Sequence, residues 1–251
     1  MAEPIYAAIA DVESTGKDPK TCEVIESAFL LLPDTPLKFM KAEFADLVMR
    51  HEYHSHSQPM DLGALATHNI TSDMLDGKSP YKPSEVLPPM HYIIGHSVDF
   101  DREALDAKGA ASICTLALAR KFFPDLDSHS QGAVLYHLAR ITKRGEAWAR
   151  DLLRNAHSAD ADVLNCARIL KYIIFLINKE FQPVGGLSWS DIHHVSQEAR
   201  IPKVMPFGKF KGKPVAEVEP GWAEWYSNCT DPLPDPYVLL ALKMEGVLTY
   251  D

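Results

Sequence analysis

The sequence has little of what marks several other classes of protein. Its four cysteines in 251 residues are far apart and form no C-x-x-C pair, which argues against a structural zinc site and a disulfide framework. The longest later apolar run, residues 169–177, is interrupted by Lys171, and the apolar N-terminal stretch carries Glu3 and Asp11. We therefore expect a cytoplasmic protein without a signal peptide or a membrane span.

Positively charged residues are outnumbered by negatively charged ones, and the formal net charge at pH 7 is −9. A protein that coats nucleic acid needs clustered lysine and arginine to neutralise phosphates, so this balance argues against that class. The negative charge is compatible with an enzyme that binds only a few nucleotides, since bound cations can offset its own carboxylates. With 46% hydrophobic and 24% charged residues, the chain has the composition of an ordinary globular protein.

Apolar runs and helical periodicity predict an α/β protein with a sheet of mixed direction. Three strands come first and strands then alternate with helices, an order typical of such sheets. The predicted strands span residues 5–12, 22–32, 45–53, 91–96 and 112–115. The predicted helices span residues 61–67, 116–123, 131–141 and 161–178, with a further one that begins at Asp101.

A change in composition near residue 185 predicts a domain boundary. Residues 181–187 contain a proline and two glycines, a combination typical of linkers. We expect a larger domain at residues 1–182 and a small α+β extension at residues 187–251.

The small extension has a candidate core and a candidate binding stripe. Trp222, Trp225 and Tyr226 have a spacing that suits one helix face, which predicts a core. Three alternating lysines would share one face of a strand or hairpin and hold phosphates there. A soluble hairpin without a ligand is the alternative. These lysines are Lys209, Lys211 and Lys213.

Candidate metal ligands fall at the ends of the predicted strands. Asp11 and Glu13 are two residues apart at the end of the first strand, and the period of a strand puts both carboxylates on one face. Two divalent cations about 3.5–4 Å apart need further oxygen ligands from other elements. Asp101 follows the fourth strand, directly after Phe100.

A third contribution comes from the opening of the long helix at 161–178, where His157 stands five residues before Asp162. The three groups match the motifs D-x-E, F-D and H-x-x-x-x-D in order, and the set resembles the DnaQ-like (DEDDh) 3′→5′ exonucleases. Each motif alone is weak, but all three in order are a strong signal. Residues 112–124 and 205–226 also resemble the exodeoxyribonuclease X branch of that family.

This resemblance implies a fold and a division of roles. The fold would be a ribonuclease H-like mixed five-stranded sheet flanked by helices. The carboxylates would hold two Mg²⁺ ions, with Mn²⁺ as a substitute, and His157 would take a proton from the attacking water. The implied metal ligands are Asp11, Glu13, Asp101 and Asp162. The implied contacts with substrate are Ser14, Thr15, Gly16 and His68, with packing as the alternative for the histidine.

The implied reaction is hydrolysis of phosphodiester bonds from DNA 3′ ends, on single strands and frayed duplex ends. It would release 5′-mononucleotides, in a DNA-repair setting. An exoribonuclease of the same fold is one alternative, since the metal site does not read the sugar. An inactive nuclease fold that serves as a binding module is another, against which five intact catalytic positions argue.

Two further aspartates compete for places in the site. Asp99 precedes Asp101 by two residues, but the Phe-Asp pair of the motif favours Asp101. Asp160 competes with Asp162, and a helix turns the two about 200° apart, so only one faces the metals. The spacing from His157 favours Asp162.

A cluster of three histidines lies in the segment HEYHSHS. A second metal site is one interpretation, yet no cysteine or acid cluster stands at ligand spacing. We therefore expect a solvated loop. The histidines are His51, His54 and His56.

Overall fold

The computed structural model describes residues 6–230 and 233–249, and the chain divides into two compact units. Unit 1 is Met1–Ser196 and unit 2 is Gln197–Asp251. This division lies after the predicted boundary because Trp189 belongs to unit 1, where it is fully buried and its indole N–H donates to the Pro33 carbonyl at 2.9 Å. The two functional domains inferred from composition stay a prediction.

Unit 1 is built on a five-stranded sheet in the order β3-β2-β1-β4-β5. The strands are β1 Ala7–Ser14, β2 Val24–Leu32, β3 Met49–Tyr53, β4 Tyr92–Gly95 and β5 Ala111–Cys114. β2 is antiparallel to both β1 and β3, whereas β4 is parallel to both β1 and β5. The predicted α/β fold with a mixed sheet is confirmed.

The central strand β1 changes its burial pattern along its length. Residues 7–10 are buried without a break, as expected for a strand that is covered on both faces. From Asp11 onward half-buried and buried residues alternate, and Asp11 and Glu13 take the half-buried positions. Because β4 pairs with β1 only as far as Ile9, the end of β1 extends past its parallel neighbour and leaves room for other groups.

Helices flank this sheet. They are α1 Pro36–Lys41, α2 Leu62–His68, α3 Pro83–Val86, α4 Asp99–Ala104, α5 Thr115–Phe122, α6 Gln131–Ile141, α7 Glu146–Leu152, α8 Ala159–Phe181 and α9 Trp189–Arg200. Short 3₁₀ turns lie at Phe44–Asp46, Ser72–Leu75 and Leu153–Asn155. Within the described part of the chain, none of the helices has the length and apolar character needed to cross a bilayer.

The long helix α8 packs on β1 and β2. Its fully buried apolar residues recur every three or four positions, the pattern of a helix with one apolar face. They include Val163, Ala167, Leu170, Ile174 and Ile177. Docking of this face fixes the rotation of the helix, and therefore the direction in which the side chains of its first turn point.

Some predicted elements differ from those of the structure. The third strand begins only at Met49, because Phe44–Asp46 form a 3₁₀ turn. The helix predicted from Asp101 begins two residues earlier, at Asp99. Helices α1 and α7 were not predicted, although Thr35 accepts a capping hydrogen bond from the amide of Lys38 at 3.4 Å, a frequent signal of a helix start.

Unit 2 is mainly helical. It contains α10 Pro220–Ser227 and α11 Pro236–Met244, with 3₁₀ turns at Gly208–Phe210 and Val215–Glu217. Its buried core includes Met205, Phe210, Val215, Val218, Ala223, Tyr226, Val238 and Leu242. In the described residues of this unit, β pairing is limited to the isolated bridge between Val204 and Pro214, so little of the expected β half of the extension is present.

The structure changes two predictions within unit 2. Of the strand or hairpin predicted for the alternating lysines, the hairpin is present, because Val204 and Pro214 form an antiparallel bridge and the Met205 amide donates to the Lys213 carbonyl at 2.8 Å. The segment between them is not a strand, since Gly208 and Gly212 have φ values of 71° and 79° and bend the chain where a strand would continue. Lys209 accordingly lies in a 3₁₀ turn. Trp225 is 61% exposed and does not belong to the core, whereas Tyr226 is buried.

Candidate active site

Carboxylates of β1 and β2 meet on one face of the sheet. Glu13 stands directly opposite Glu26 in the antiparallel pair of these strands, and directly opposite residues share a face. Asp11 lies on the same face, two residues before Glu13. Like charges placed opposite each other destabilise a sheet, so this pair requires either cations or hydrogen-bond donors nearby.

Asp101 joins this face from the first turn of α4. Its Oδ1 accepts a hydrogen bond from the Val12 amide at 3.2 Å, and the residue is only 7% exposed. Asp99, the competing aspartate, is exposed. The end of β4 approaches β1 closely at Gly95, where a Cβ atom would lie 3.2 Å from the carbonyl oxygen of Ala10. The same Cβ atom would lie 3.2 Å from the side chain of Val98, so glycine lets β1 and the residue before α4 approach without either being displaced.

His157 and Asp162 reach the same face from the start of α8. The main-chain N–H of His157 donates to Asp162 Oδ2 at 3.0 Å, and His157 has a φ of 68°, which is uncommon outside glycine. Potential ligand atoms of Glu13, His157 and Asp162 lie within 4.8 Å of one another. Asp160 instead accepts a hydrogen bond from Ser158 Oγ at 2.6 Å and belongs to a different cluster.

Burial and mutual repulsion raise the pKa values of these carboxylates. The pKa of Glu13 rises to about 8, through burial first and then through the charges of Glu26 and Asp162. Burial also raises the pKa of Asp101 to about 7, although hydrogen bonds from main-chain amides oppose the shift. A carboxyl group with such a pKa holds a proton near neutral pH unless a cation replaces that proton.

Asp11 and Asp162 show the same behaviour. Burial raises the pKa of Asp11 well above its usual value, with further contributions from Asp101 and Asp162. The pKa of Asp162 is also raised by burial, while the hydrogen bond from His157 lowers it. Several buried carboxylates held together against their own repulsion form a set of hard oxygen donors that suits a divalent cation. The residues present therefore fit the metal that the resemblance implies.

The predicted substrate contacts Ser14, Thr15 and Gly16 form the turn after β1. Ser14 Oγ donates to the carbonyl of Gly16 at 2.8 Å, and Thr15 Oγ1 accepts from the Glu23 amide at 2.9 Å. At Gly16 a Cβ atom would lie 2.9 Å from Oδ2 of the exposed Asp61, so a side chain there would have to displace that carboxylate. The hydroxyl groups thus hold the turn beside the carboxylates, and their contact with substrate stays a prediction.

His68 is the last residue of α2 and is 7% exposed. Its Nδ1 accepts a hydrogen bond from the Ile70 amide at 2.9 Å, whereas its buried Nε2 has no well-formed hydrogen bond within the described residues. Burial lowers the pKa of His68, and the main chain of Ser14 opposes that shift. The histidine both packs and keeps a polar atom near the turn, so a substrate contact stays a prediction.

The three lysines of unit 2 are exposed. Lys209 Nζ lies 2.7 Å from Glu219 Oε2, and the ammonium groups of Lys209 and Lys213 lie 4.8 and 5.8 Å from the centroid of the Phe210 ring. Lys211 completes the set. Their role in binding phosphates stays a prediction.

The expectation of a solvated loop was wrong for His51 and His54, whereas His56 lies outside the helices and strands and is half-buried. His54 is buried and its Nε2 lies 2.8 Å from Ser27 Oγ. His51 belongs to β3 and its Nε2 lies 2.7 Å from Oε1 of Glu26. Glu26 itself was missed in the sequence, where the signal was a single acid within the apolar run VIESAFLLL.

The sheet order and the carboxylates gathered at the end of β1 define the class of fold, which is that of the DnaQ-like exonucleases. Exonuclease X in complex with 5′ overhanging duplex DNA superimposes with a TM-score of 0.51 and 23% identity, covering 74% of this chain and 99% of that one. Exonuclease I of E. coli in complex with a dT13 oligonucleotide gives a TM-score of 0.51 and 17% identity, covering 71% of this chain and 43% of that one.

Among curated proteins, the chain is similar to exodeoxyribonuclease 10 of Escherichia coli strain K12. The two are 25% identical over 192 residues, which cover 74% of this chain and 79% of the relative. No family model matches the chain. The resemblance to DnaQ-like exonucleases that the three motifs indicated is confirmed by these relatives.

Proposed function

We propose that this protein is a 3′→5′ exodeoxyribonuclease that depends on a divalent metal. The observation that carries the proposal is the gathering of Asp11, Glu13, Asp101 and Asp162 on one face of the sheet beside His157. The similarity to exodeoxyribonuclease 10 indicates the class of substrate. Hydrolysis of phosphodiester bonds at the 3′ ends of single strands and frayed duplexes would yield 5′-mononucleotides.

Each residue has a role that follows from its position. The four carboxylates would hold two Mg²⁺ ions, or Mn²⁺ in their place, which bind the scissile phosphate and offset the charge that develops on it. His157 is exposed at the margin of the site and would accept a proton from the attacking water. Its main-chain bond to Asp162 keeps the imidazole next to the carboxylates.

Contacts with the nucleic acid would come from the elements around this face. The turn at Ser14, Thr15 and Gly16 would lie beside the terminal nucleotide, with His68 behind it. In unit 2, the exposed lysines would bind phosphates of a DNA strand. A reducing compartment such as the cytoplasm suits the four cysteines, all of which are free thiols.

The test is stepwise shortening of single-stranded DNA, duplex DNA with a 5′ overhang, and RNA, each labelled at its 5′ end, with the released mononucleotides identified by chromatography. We expect degradation of the DNA substrates with Mg²⁺ and none with a chelator. Asp101→Asn should abolish the activity, and Asp99→Asn is the matched control, since Asp99 is exposed and stands two residues away. Equal activity of the two variants would contradict the site.

The alternatives predict different results in the same assay. Faster degradation of RNA than of DNA would indicate an exoribonuclease with the same metal chemistry. Binding of single-stranded DNA without any product, in Mg²⁺ and in Mn²⁺, would indicate a nuclease fold that serves only as a binding module.

A further inference from the structure

Glu26 is a carboxylate in the middle of β2 that the proposed chemistry does not use. It is fully buried, in a strand whose other residues are mostly apolar. Burial of a charged group is costly unless the group is paired and hydrogen-bonded. Glu26 therefore needs hydrogen-bond donors around it in order to stay buried.

Glu26 is bound by donors from two other elements. On β3, His51 Nε2 lies 2.7 Å from its Oε1. At the start of α8, the Ala159 amide donates to Oε2 at 3.1 Å. Ser158 Oγ lies 3.4 Å from Oε1, but its single hydroxyl proton points to the nearer Asp160 Oδ1 at 2.6 Å. Ser158 occupies the N-cap position of α8 but makes no side-chain capping bond. Glu26 therefore replaces the missing cap from the neighbouring sheet and faces the positive end of the helix dipole.

A second cation site is the competing explanation of this cluster. Potential ligand atoms of Glu26, His51 and Asp160 lie within 4.8 Å of one another. However, both oxygens of Glu26 already accept hydrogen bonds, and Asp160 accepts bonds from Ser158 Oγ and from the Ala161 amide. The hydrogen bonds that these oxygens accept hold the start of α8 in place. The grouping of Glu26, His51 and Asp160 therefore does not require a bound cation.

The helix turn that Glu26 holds is the one that supplies the candidate site. Asp162 lies in this turn, and its carboxylate accepts the main-chain bond of His157. On the other side, Glu26 stands directly opposite Glu13 across the β1–β2 pair. The Glu26 side chain thus contacts the first turn of α8 and also lies beside Glu13 of β1. For Glu13 and Asp162 to share a cation, this helix turn and β1 must keep a fixed distance from each other.

We infer that Glu26 is a positioning residue for cation binding, which holds the first turn of α8 from β2 so that Asp162 and His157 face Glu13. Its negative charge also adds to the field that attracts a cation to this face. The inference rests on the proposed function, because it assigns Glu26 a role only if the face holds a cation.

Glu26→Gln tests this role with almost no change in shape. The amide removes the negative charge of Glu26. It also replaces one acceptor oxygen by an N–H₂ group, so one of the present donors loses its acceptor. Glu52→Gln is the matched control, since Glu52 is an exposed glutamate of β3 that alternates with His51 and Tyr53 and so lies on the other face. The probe is Mn²⁺ alone, with free Mn²⁺ measured by electron paramagnetic resonance in the absence of DNA.

We expect Glu26→Gln to weaken Mn²⁺ binding on the order of tenfold, as is typical when groups that orient ligands are lost. Glu52→Gln should bind within about twofold of the wild type. In degradation assays, the Mg²⁺ concentration for half-maximal activity should rise in Glu26→Gln by a similar factor, with the KM for the oligonucleotide unchanged. A purely structural role would lower the melting temperature without changing the Mn²⁺ affinity of the folded protein.

His51→Ala provides a second variant if Glu26→Gln does not fold. It removes one donor at the more exposed side of the cluster and should weaken Mn²⁺ binding by about threefold or more. Wild-type affinity in the folded variants would overturn the role of Glu26, even if the wild type degrades DNA. A wild type that neither binds Mn²⁺ nor degrades DNA would instead overturn the proposed function, and the inference with it.

Discussion

Binding of a divalent cation to unit 1 should release protons near neutral pH, because the carboxyl groups there retain protons that a cation must displace. The pKa of Glu13 is about 8 and that of Asp101 about 7. At pH 7 such groups carry about 0.9 and about 0.5 of a proton. These two groups should therefore release about 1.4 protons at pH 7 and about 0.1 at pH 9.

Titration calorimetry with Mg²⁺, in buffers of low and high ionisation enthalpy, measures this number. The slope of the observed enthalpy against the ionisation enthalpy of the buffer equals the number of protons released. Asp101→Asn should lower the slope at pH 7 by about 0.5, and Asp99→Asn should lower it by less, because the charge of Asp99 only contributes to the raised pKa of Asp101. A slope near zero at pH 7, or equal slopes at pH 7 and pH 9, would refute the reasoning.

Three further predictions concern stability and catalysis. With a chelator present, the melting temperature should fall as the pH rises from about 5 to about 8, because the pKa of Glu13 is raised from 4.5 to about 8 and the folded state prefers its neutral form; Mg²⁺ should reverse the fall, and a rising melting temperature would contradict it. His157→Ala should lower kcat by about 10²–10⁴-fold with little change in KM, and full activity would exclude its role as a base. Gly95→Ala should cost about 1–3 kcal/mol in urea unfolding, because its Cβ would lie 3.2 Å from the Ala10 carbonyl oxygen; an unchanged midpoint would show that β4 can move.

The convergence of the carboxylates was predictable from local patterns. Asp11 and Glu13 alternate at the end of a strand, and Asp101 follows a parallel strand whose carboxyl end meets the same edge of the sheet. The exposed position of Asp99 and the separate cluster of Asp160 agree with the motif spacing. The shared face of Asp11 and Glu13 follows from the period of a strand, which a sequence displays directly. The preference for Asp101 and Asp162 followed from the resemblance to the DnaQ-like motifs.

Other features depend on contacts between elements that are distant in the chain. Glu26 and His51 meet through the register of β2 with β3, and Glu26 meets Ala159 only after α8 has docked on the sheet. The polar segment HEYHSHS shows neither relation, so the sequence does not reveal that His51 and His54 are held by Glu26 and Ser27. The alternation of the lysines could not show which of a strand or a hairpin would form, since the glycines between them adopt positive φ values that alternation does not reveal.

The direction of degradation is tested by comparing one single-stranded oligonucleotide labelled at its 5′ end with the same oligonucleotide labelled at its 3′ end. With Mg²⁺, the 3′ label should appear at once as a mononucleotide, while the 5′ label should pass through a ladder of steadily shortened products. Neither pattern should appear with Asp101→Asn, and both should persist with Asp99→Asn. Early release of the 5′ label, internal cleavage, or undiminished activity of Asp101→Asn would contradict a metal-dependent 3′→5′ exonuclease built on this site.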